Sequence, residues 1–157
     1  MRILAFIAAL VLGSIPVNGH AAAGARVALV IGNGDYVSAA DMPSLPNPSN
    51  DAQAMASKLR TLAFDVIEVR DGTYRAMIDG LRRFSREASG ADVAVFYYAG
   101  HGLQADGENY LMPVDAEIEI PADLNYESLV VSRIREELVR ANPNVSVIIL
   151  DACRNNP

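Results

Sequence analysis

Three short, continuous apolar runs constrain this chain more than any other feature. They occupy residues 26–32, 92–98 and 145–150. Each is too short to be a buried helix of ordinary length, and each ends in turn residues: Gly32-Asn33-Gly34-Asp35, then Gly100-His101-Gly102, then Asp151-Ala152-Cys153. Runs of that kind read as strands covered on both faces, which is the habit of a parallel sheet. Residues 64–70 alternate apolar and polar and read as a further strand, closed by Asp71-Gly72. Between the strands lie stripes at helical spacing. Ala52, Met55, Ala56, Leu59 and Ala63 form one, started by Asn50-Asp51 after the Pro- and Ser-rich loop of residues 41–50. Met77, Ile78, Leu81, Phe84 and Ala88 form a second, capped by Thr73. Val131, Ile134, Leu138 and Ala141 form a third, ended by the turn Asn142-Pro143-Asn144. Strand and helix alternating throughout predicts a three-layer α/β sandwich around a mainly parallel sheet with right-handed crossovers.

The N-terminus stands apart from that pattern. Met1-Arg2 is followed by an apolar stretch over residues 3–17, a polar Asn18-Gly19-His20, and Ala21-Ala22-Ala23 as an A-x-A site. This is the layout of a secretory signal peptide over residues 1–23. The apolar stretch is shorter than the ~20 residues of a comfortable membrane span. An uncleaved anchor is the alternative. Cleavage after Ala23 leaves residues 24–157 as the domain, secreted or periplasmic, with His101 and Cys153 as its one histidine and one cysteine. A single cysteine forms no internal disulfide. Formal charge is 13 − 19 = −6, a poor match for nucleic acid, whose phosphates want a basic surface. With 51% hydrophobic and 20% charged residues, the chain is neither disordered nor a disulfide scaffold.

In a parallel sheet, ligands bind beyond the carboxyl ends of the strands. The three turns named above therefore meet at one edge, bringing His101 and Cys153 together across 153 − 101 = 52 residues of sequence. A thiol and an imidazole are the smallest machinery for acyl transfer: the thiolate attacks a carbonyl carbon and the imidazole manages protons. Backbone N–H groups at Gly102 and Cys153 offer an oxyanion hole. The plainer alternatives are a core thiol and a loop histidine.

The local words extend this reading. Tyr97-Tyr98-Ala99-Gly100-His101-Gly102 precedes Asp151-Ala152-Cys153-Arg154 at the distance that separates the caspase histidine from its cysteine word. With Gly32-Asn33, Asn50-Asp51-Ala52 and residues 109–115 (Asn109 to Asp115) in order, the sequence from Arg26 to Pro157 resembles the caspase-like cysteine peptidases, in particular their bacterial and metacaspase branch. The resemblance implies a cysteine endopeptidase with Cys153 as nucleophile and His101 as its partner in a dyad. It implies Gly102 as an oxyanion donor. It also implies Asp51 and Asp151 as an acidic S1 pair for a P1 Arg or Lys. Two carboxylates favour a guanidinium and repel an acid. Asp51 also suits the first turn of a helix, and Asp151 suits a loop-orienting role. Arg154-Asn155-Asn156-Pro157 departs from the words that follow the cysteine in caspases and metacaspases. The family's catalytic domains continue past the cysteine with a small-subunit region, so the domain is expected to be incomplete at its C-terminus. The partners expected are a protein or peptide substrate and a small-subunit-like partner or missing C-terminal segment. The alternative function is a non-catalytic caspase-fold interaction module, or one half of a split or truncated peptidase.

Other motifs point nowhere further. Gly32-Asn33-Gly34 lacks the third glycine of a dinucleotide fingerprint, and no P-loop is present. No zinc ligand set is expected from one histidine and one cysteine, and no cofactor is called for. Asp115, Glu117, Glu119 and Asp123 read as a solvated acidic loop, with calcium as the alternative. Tyr97-Tyr98 reads as strand packing.

Overall fold

A computed structural model describes residues 24–36 and 42–155, with side chains as far as Ala152. The signal-peptide reading of residues 1–23 lies outside the described residues. Strand β1 (Arg26–Gly32) leads through helix α1 (Pro48–Thr61) to β2 (Asp65–Arg70), and helix α2 (Tyr74–Glu87) leads to β3 (Val93–Ala105). A hairpin then gives β4 (Glu108–Leu111). The short helix α3 (Leu124–Glu127) and strand β5 (Leu129–Val130) lead into helix α4 (Val131–Ala141) and the final strand β6 (Val145–Asn155).

The sheet order is β2-β1-β3-β4-β5, with β6 paired to the other edge of β3. The β2, β1, β3 and β6 neighbours are all parallel, whereas β4 and β5 are antiparallel additions. This is the three-layer α/β sandwich expected from the alternating pattern. The stripe Met77, Ile78, Leu81, Phe84 and Ala88 of α2 and the residues Ile134, Leu138 and Ala141 of α4 bury one face of the sheet, against Leu29, Ile31 and Phe96. On the other face, Ala52, Ala56 and Leu59 of α1 cover Ala28, Val30, Val95 and Tyr97. Small alanines let α1 lie close to the sheet. Gly32 allows the closest approach, since a Cβ there would collide with the Pro48 carbonyl.

Among the described residues that second face has only α1 over it, and β6 extends past its reach. Val145, Val147 and Ile149 alternate onto the open side with 51%, 38% and 38% of their surfaces exposed. Among the described residues no helix is long and apolar enough to cross a membrane.

Two boundaries differ from the sequence reading. Helix α1 starts at Pro48, two residues before Asn50, because proline at the first helical position has no N–H to lose and a preset φ. More consequentially, Gly100-His101-Gly102 and Asp151-Ala152-Cys153 do not end their strands. Strand β3 runs on to Ala105 and β6 to Asn155, because each supplies the other's ladder and β4 supplies the far edge of β3. The β3–β4 hairpin turns through Asp106 and Gly107, both at positive φ (49° and 81°). That is the conformation of a two-residue type I′ turn, matched to strand twist.

Candidate active site

The parallel ladder between β3 and β6 sets the geometry of the site. Its register runs Tyr97↔Ile149, Ala99↔Asp151, His101↔Cys153 and Gly102↔Arg154. Residues 101 and 153 are thus direct neighbours on adjacent strands, whose separation in a sheet is about 4.8 Å.

His101 is held from several sides. Its ring Nε2 lies 2.8 Å from the Pro43 carbonyl. A carbonyl only accepts, so Nε2 carries a proton, and in the neutral imidazole Nδ1 then keeps its lone pair. The Tyr36 ring packs against the imidazole, with centroids 4.6 Å apart and planes inclined at 58°. The His101 N–H donates to the Tyr36 hydroxyl at 2.8 Å, and the Tyr98 hydroxyl donates to the His101 carbonyl at 2.7 Å. That same carbonyl accepts from Met112 N at 3.1 Å. Between these contacts sits Gly100, with φ +152°. A Cβ there would stand 2.6 Å from the Tyr98 hydroxyl and 2.7 Å from that of Tyr36. Glycine is what lets the two phenols close on the chain beneath His101.

The loop after β1 carries Tyr36 and is itself fixed. Asn33 is fully buried: its side-chain amide donates to Met112 O at 2.9 Å, and its carbonyl accepts from Gly72 N at 2.9 Å. The Asn33 backbone N–H reaches Ala99 O at 2.9 Å. One oxygen of Asp71 accepts from both Gly34 N (2.8 Å) and Asp35 N (3.0 Å). Four segments therefore converge under the histidine: the end of β1, the turn before α2, the bend in β3 and the exit of β4.

Gly102 lies inside the ladder, opposite Leu111 on one side and Arg154 on the other. Alternation from the hairpin turn directs its N–H away from β4 and towards β6, the strand that carries Cys153. Asp51, in the first turn of α1, and Asp151, on β6, are both exposed and bear on the same group, the buried Tyr97 phenol. Burial, then the carboxylates of Asp151 and Asp51, push that phenol up. The two acids are thus brought to one locality on the α1 face of the sheet. In the acidic loop Asp115, Glu117 and Glu119 are exposed, while Asp115 also accepts from Tyr74 N at 2.7 Å and Asp123 from Glu119 N and Ile120 N. Among the described residues no three His, Cys, Asp or Glu side chains gather as a metal site.

Tyr36 and Pro43 go unassigned in the sequence reading, which takes Tyr98 as strand packing and Asn33 as a turn residue. Pro43 acts through its backbone, which no residue type announces. The two phenols do carry a signal, since a buried Tyr hydroxyl usually finds a partner.

A parallel α/β sheet that sets a histidine and a cysteine opposite each other on neighbouring strands is the architecture of a caspase-like domain. The family model of the caspase domain matches residues 25–157, and the chain belongs to that family of cysteine peptidase-like proteins. It is also similar to the mucosa-associated lymphoid tissue lymphoma translocation protein 1 homolog of Mus musculus, 31% identical over 138 residues. That match covers 87% of this chain and 16% of the mouse protein. The Homo sapiens mucosa-associated lymphoid tissue lymphoma translocation protein 1 is 32% identical over 130 residues, covering 82% of this chain and 15% of the human protein. The chain thus spans about a sixth of the length of these curated relatives.

Proposed function

We propose that the chain is a cysteine-type endopeptidase in which Cys153 is the nucleophile and His101 its proton-handling partner. The observation that carries this is the His101↔Cys153 register pair, taken with the Pro43 carbonyl that holds the Nε2 proton in place. In the reaction the Cys153 thiol gives its proton to His101 and its sulfur bonds the peptide carbonyl carbon. The imidazolium then protonates the leaving amine, and water hydrolyses the thioester. The oxyanion is assigned to the backbone N–H groups of Gly102 and Cys153, which have to leave the β3–β6 ladder to reach it.

Asp51 and Asp151 supply an S1 preference for Arg or Lys, supported by their common locality at Tyr97. A fluorogenic peptide series with Arg, Lys, Asp or Ala at P1, run on the wild type and on Cys153→Ala, tests both parts. Cleavage after Arg or Lys that vanishes in Cys153→Ala is expected. Equal rates in the two proteins overturn the nucleophile, and a preference for Asp overturns the S1 assignment. The leader reading of residues 1–23 places this reaction outside the cytoplasm, checked by N-terminal sequencing of protein recovered from that fraction.

One observation favours a second reading, a non-catalytic interaction module or one half of a larger peptidase unit. Among the described residues, Val145, Val147 and Ile149 of β6 present an uncovered apolar row beside an unpaired sheet edge. Thiol alkylation across pH separates the readings. A catalytic Cys153 reacts with a depressed apparent pKa, and an ordinary thiol titrates near ~8.5.

A further inference from the structure

The two tyrosine hydroxyls beneath His101 form more than a pair of packing contacts. The His101 N–H can only donate, and Tyr36 Oη receives it at 2.8 Å. The His101 carbonyl can only accept, and Tyr98 Oη stands 2.7 Å from it. The two hydroxyls are 3.3 Å apart. Each hydroxyl has one proton, so a single arrangement satisfies all three contacts: His101 N–H to Tyr36, Tyr36 O–H to Tyr98, Tyr98 O–H to the His101 carbonyl. Met112 O, 2.9 Å from Tyr98 Oη and 3.4 Å from Tyr36 Oη, is a second acceptor that also receives the Asn33 amide. The circuit runs one way round and closes on a single residue. Hydrogen bonds chained in that sense strengthen one another in a buried setting. Both phenols are buried, and burial pushes both up, so they keep their protons through neutral pH.

We propose that Tyr36 is a positioning residue for His101: its hydroxyl closes this circuit through the histidine's own backbone groups while its ring seats the imidazole against the Pro43 carbonyl. The proposal rests on the reading of His101 as the proton-handling partner of Cys153. It deepens that reading by naming what holds the imidazole. Tyr98 holds the backbone alone. Tyr36 holds backbone and ring together, and a ring that rotates loses the Pro43 contact that fixes Nε2. A displacement of about 1 Å in such a group is worth roughly 100-fold in rate.

The test uses Tyr36→Phe, which keeps the ring and removes the hydroxyl, and Tyr36→Ala, which removes both. Tyr110→Phe serves as the control. Tyr110 packs in the same apolar cluster as Tyr36, but its hydroxyl faces Asn125 Oδ1. Two readouts are taken on the full chain. The first is imidazole ¹⁵N NMR, with the His101 signals identified by their loss in His101→Gln. The second is steady-state cleavage of the best P1 peptide. Wild type and Tyr110→Phe are expected to show the Nε2–H tautomer in one environment. Tyr36→Phe is expected to show a mixture of tautomers and a kcat lowered 10- to 100-fold, with KM changed less than twofold. Tyr36→Ala is expected to lose the tautomer preference altogether. Wild-type NMR signals and wild-type kcat in Tyr36→Phe overturn the proposal. Should Tyr36→Ala fail to fold, Tyr36→Phe decides alone. A wild type that cleaves no peptide counts against the peptidase reading. The NMR comparison still judges the clamp, because an unchanged tautomer in Tyr36→Phe overturns it whatever the activity.

Discussion

Replacing Gly100 by alanine adds one methyl group at the most crowded point beneath the site. The new Cβ would stand 2.6 Å from Tyr98 Oη, 2.7 Å from Tyr36 Oη and 2.9 Å from the Asn33 carbonyl, where contacts to carbon normally settle near 3.5–4.0 Å. The Asn33 oxygen belongs to backbone whose own N–H is tied to Ala99, and so it yields little. The phenols can move only by leaving the His101 groups, which weakens two or three hydrogen bonds worth about 1 kcal/mol each. The backbone at φ +152° adds about 1–3 kcal/mol for a residue with a side chain. Alanine stiffens the unfolded chain in return, by about 0.4–1 kcal/mol. The balance is a destabilisation of roughly 4 kcal/mol, which for a domain of this size lowers Tm by roughly 15 °C. The measurement is circular-dichroism melting of wild type, Gly100→Ala and Gly90→Ala. Gly90 also has positive φ (67°) but nothing within 4 Å of an added Cβ. It therefore isolates backbone strain from crowding. If Gly100→Ala melts no lower than Gly90→Ala, the crowding argument is refuted.

Three further outcomes are expected. Asn33→Ala strips partners from the Gly72 N–H and weakens the cover over Met112 O, both buried, and is expected to lower unfolding free energy by about 2–4 kcal/mol; a urea midpoint within error of wild type refutes it. Tyr36, Tyr97 and Tyr98 all have phenols raised by burial, so the unfolded chain ionises first. Their contribution is present in full below the ordinary tyrosine value of about 10 and drains away as pH rises through and above it. Urea midpoints measured from pH 8 to 11 are expected to fall, and a flat profile contradicts the assignment. Asp51→Asn and Asp151→Asn each remove one carboxylate from the proposed S1 site and are expected to lower kcat/KM for an Arg substrate by about 10- to 100-fold, the worth of a charge-assisted hydrogen bond. The same change with an uncharged P1 residue would place the effect elsewhere.

The pattern of apolar residues told most of the architecture. The α2 stripe from Met77 to Ala88 and the continuous run of β1 are buried as their spacing demands, because periodicity reports directly on which face meets the sheet. What went unread depends on pairing between distant segments. Asp106-Gly107 is a strong hairpin signal, yet it stays hidden when Gly100 and Gly102 are taken as the end of a strand. The ladder through His101 exists because β4 and β6 flank it, and no local propensity expresses that. For the site, the order of the His and Cys words brings two residues to one edge. The environment of the imidazole comes from Tyr36 and from the Pro43 carbonyl, 65 and 58 residues away in sequence. A hydroxyl and a peptide oxygen carry no motif.

The parallel register of β3 and β6 works as a gauge with two scales. On one scale, alternate residues of β6 are sorted, with Ile148, Leu150 and Ala152 packed towards the α2–α4 core. On the other, Cys153 is set opposite His101. Because side chains alternate every residue, a slip of one position would turn the packed residues outward and bring Ala152 or Arg154 opposite the histidine. Stability and alignment therefore fail together. An insertion in the turn at Asn142-Pro143-Asn144 leaves both scales intact. The same insertion between Val145 and Cys153 spoils both, so selection for a well-packed sheet also keeps the two residues in line.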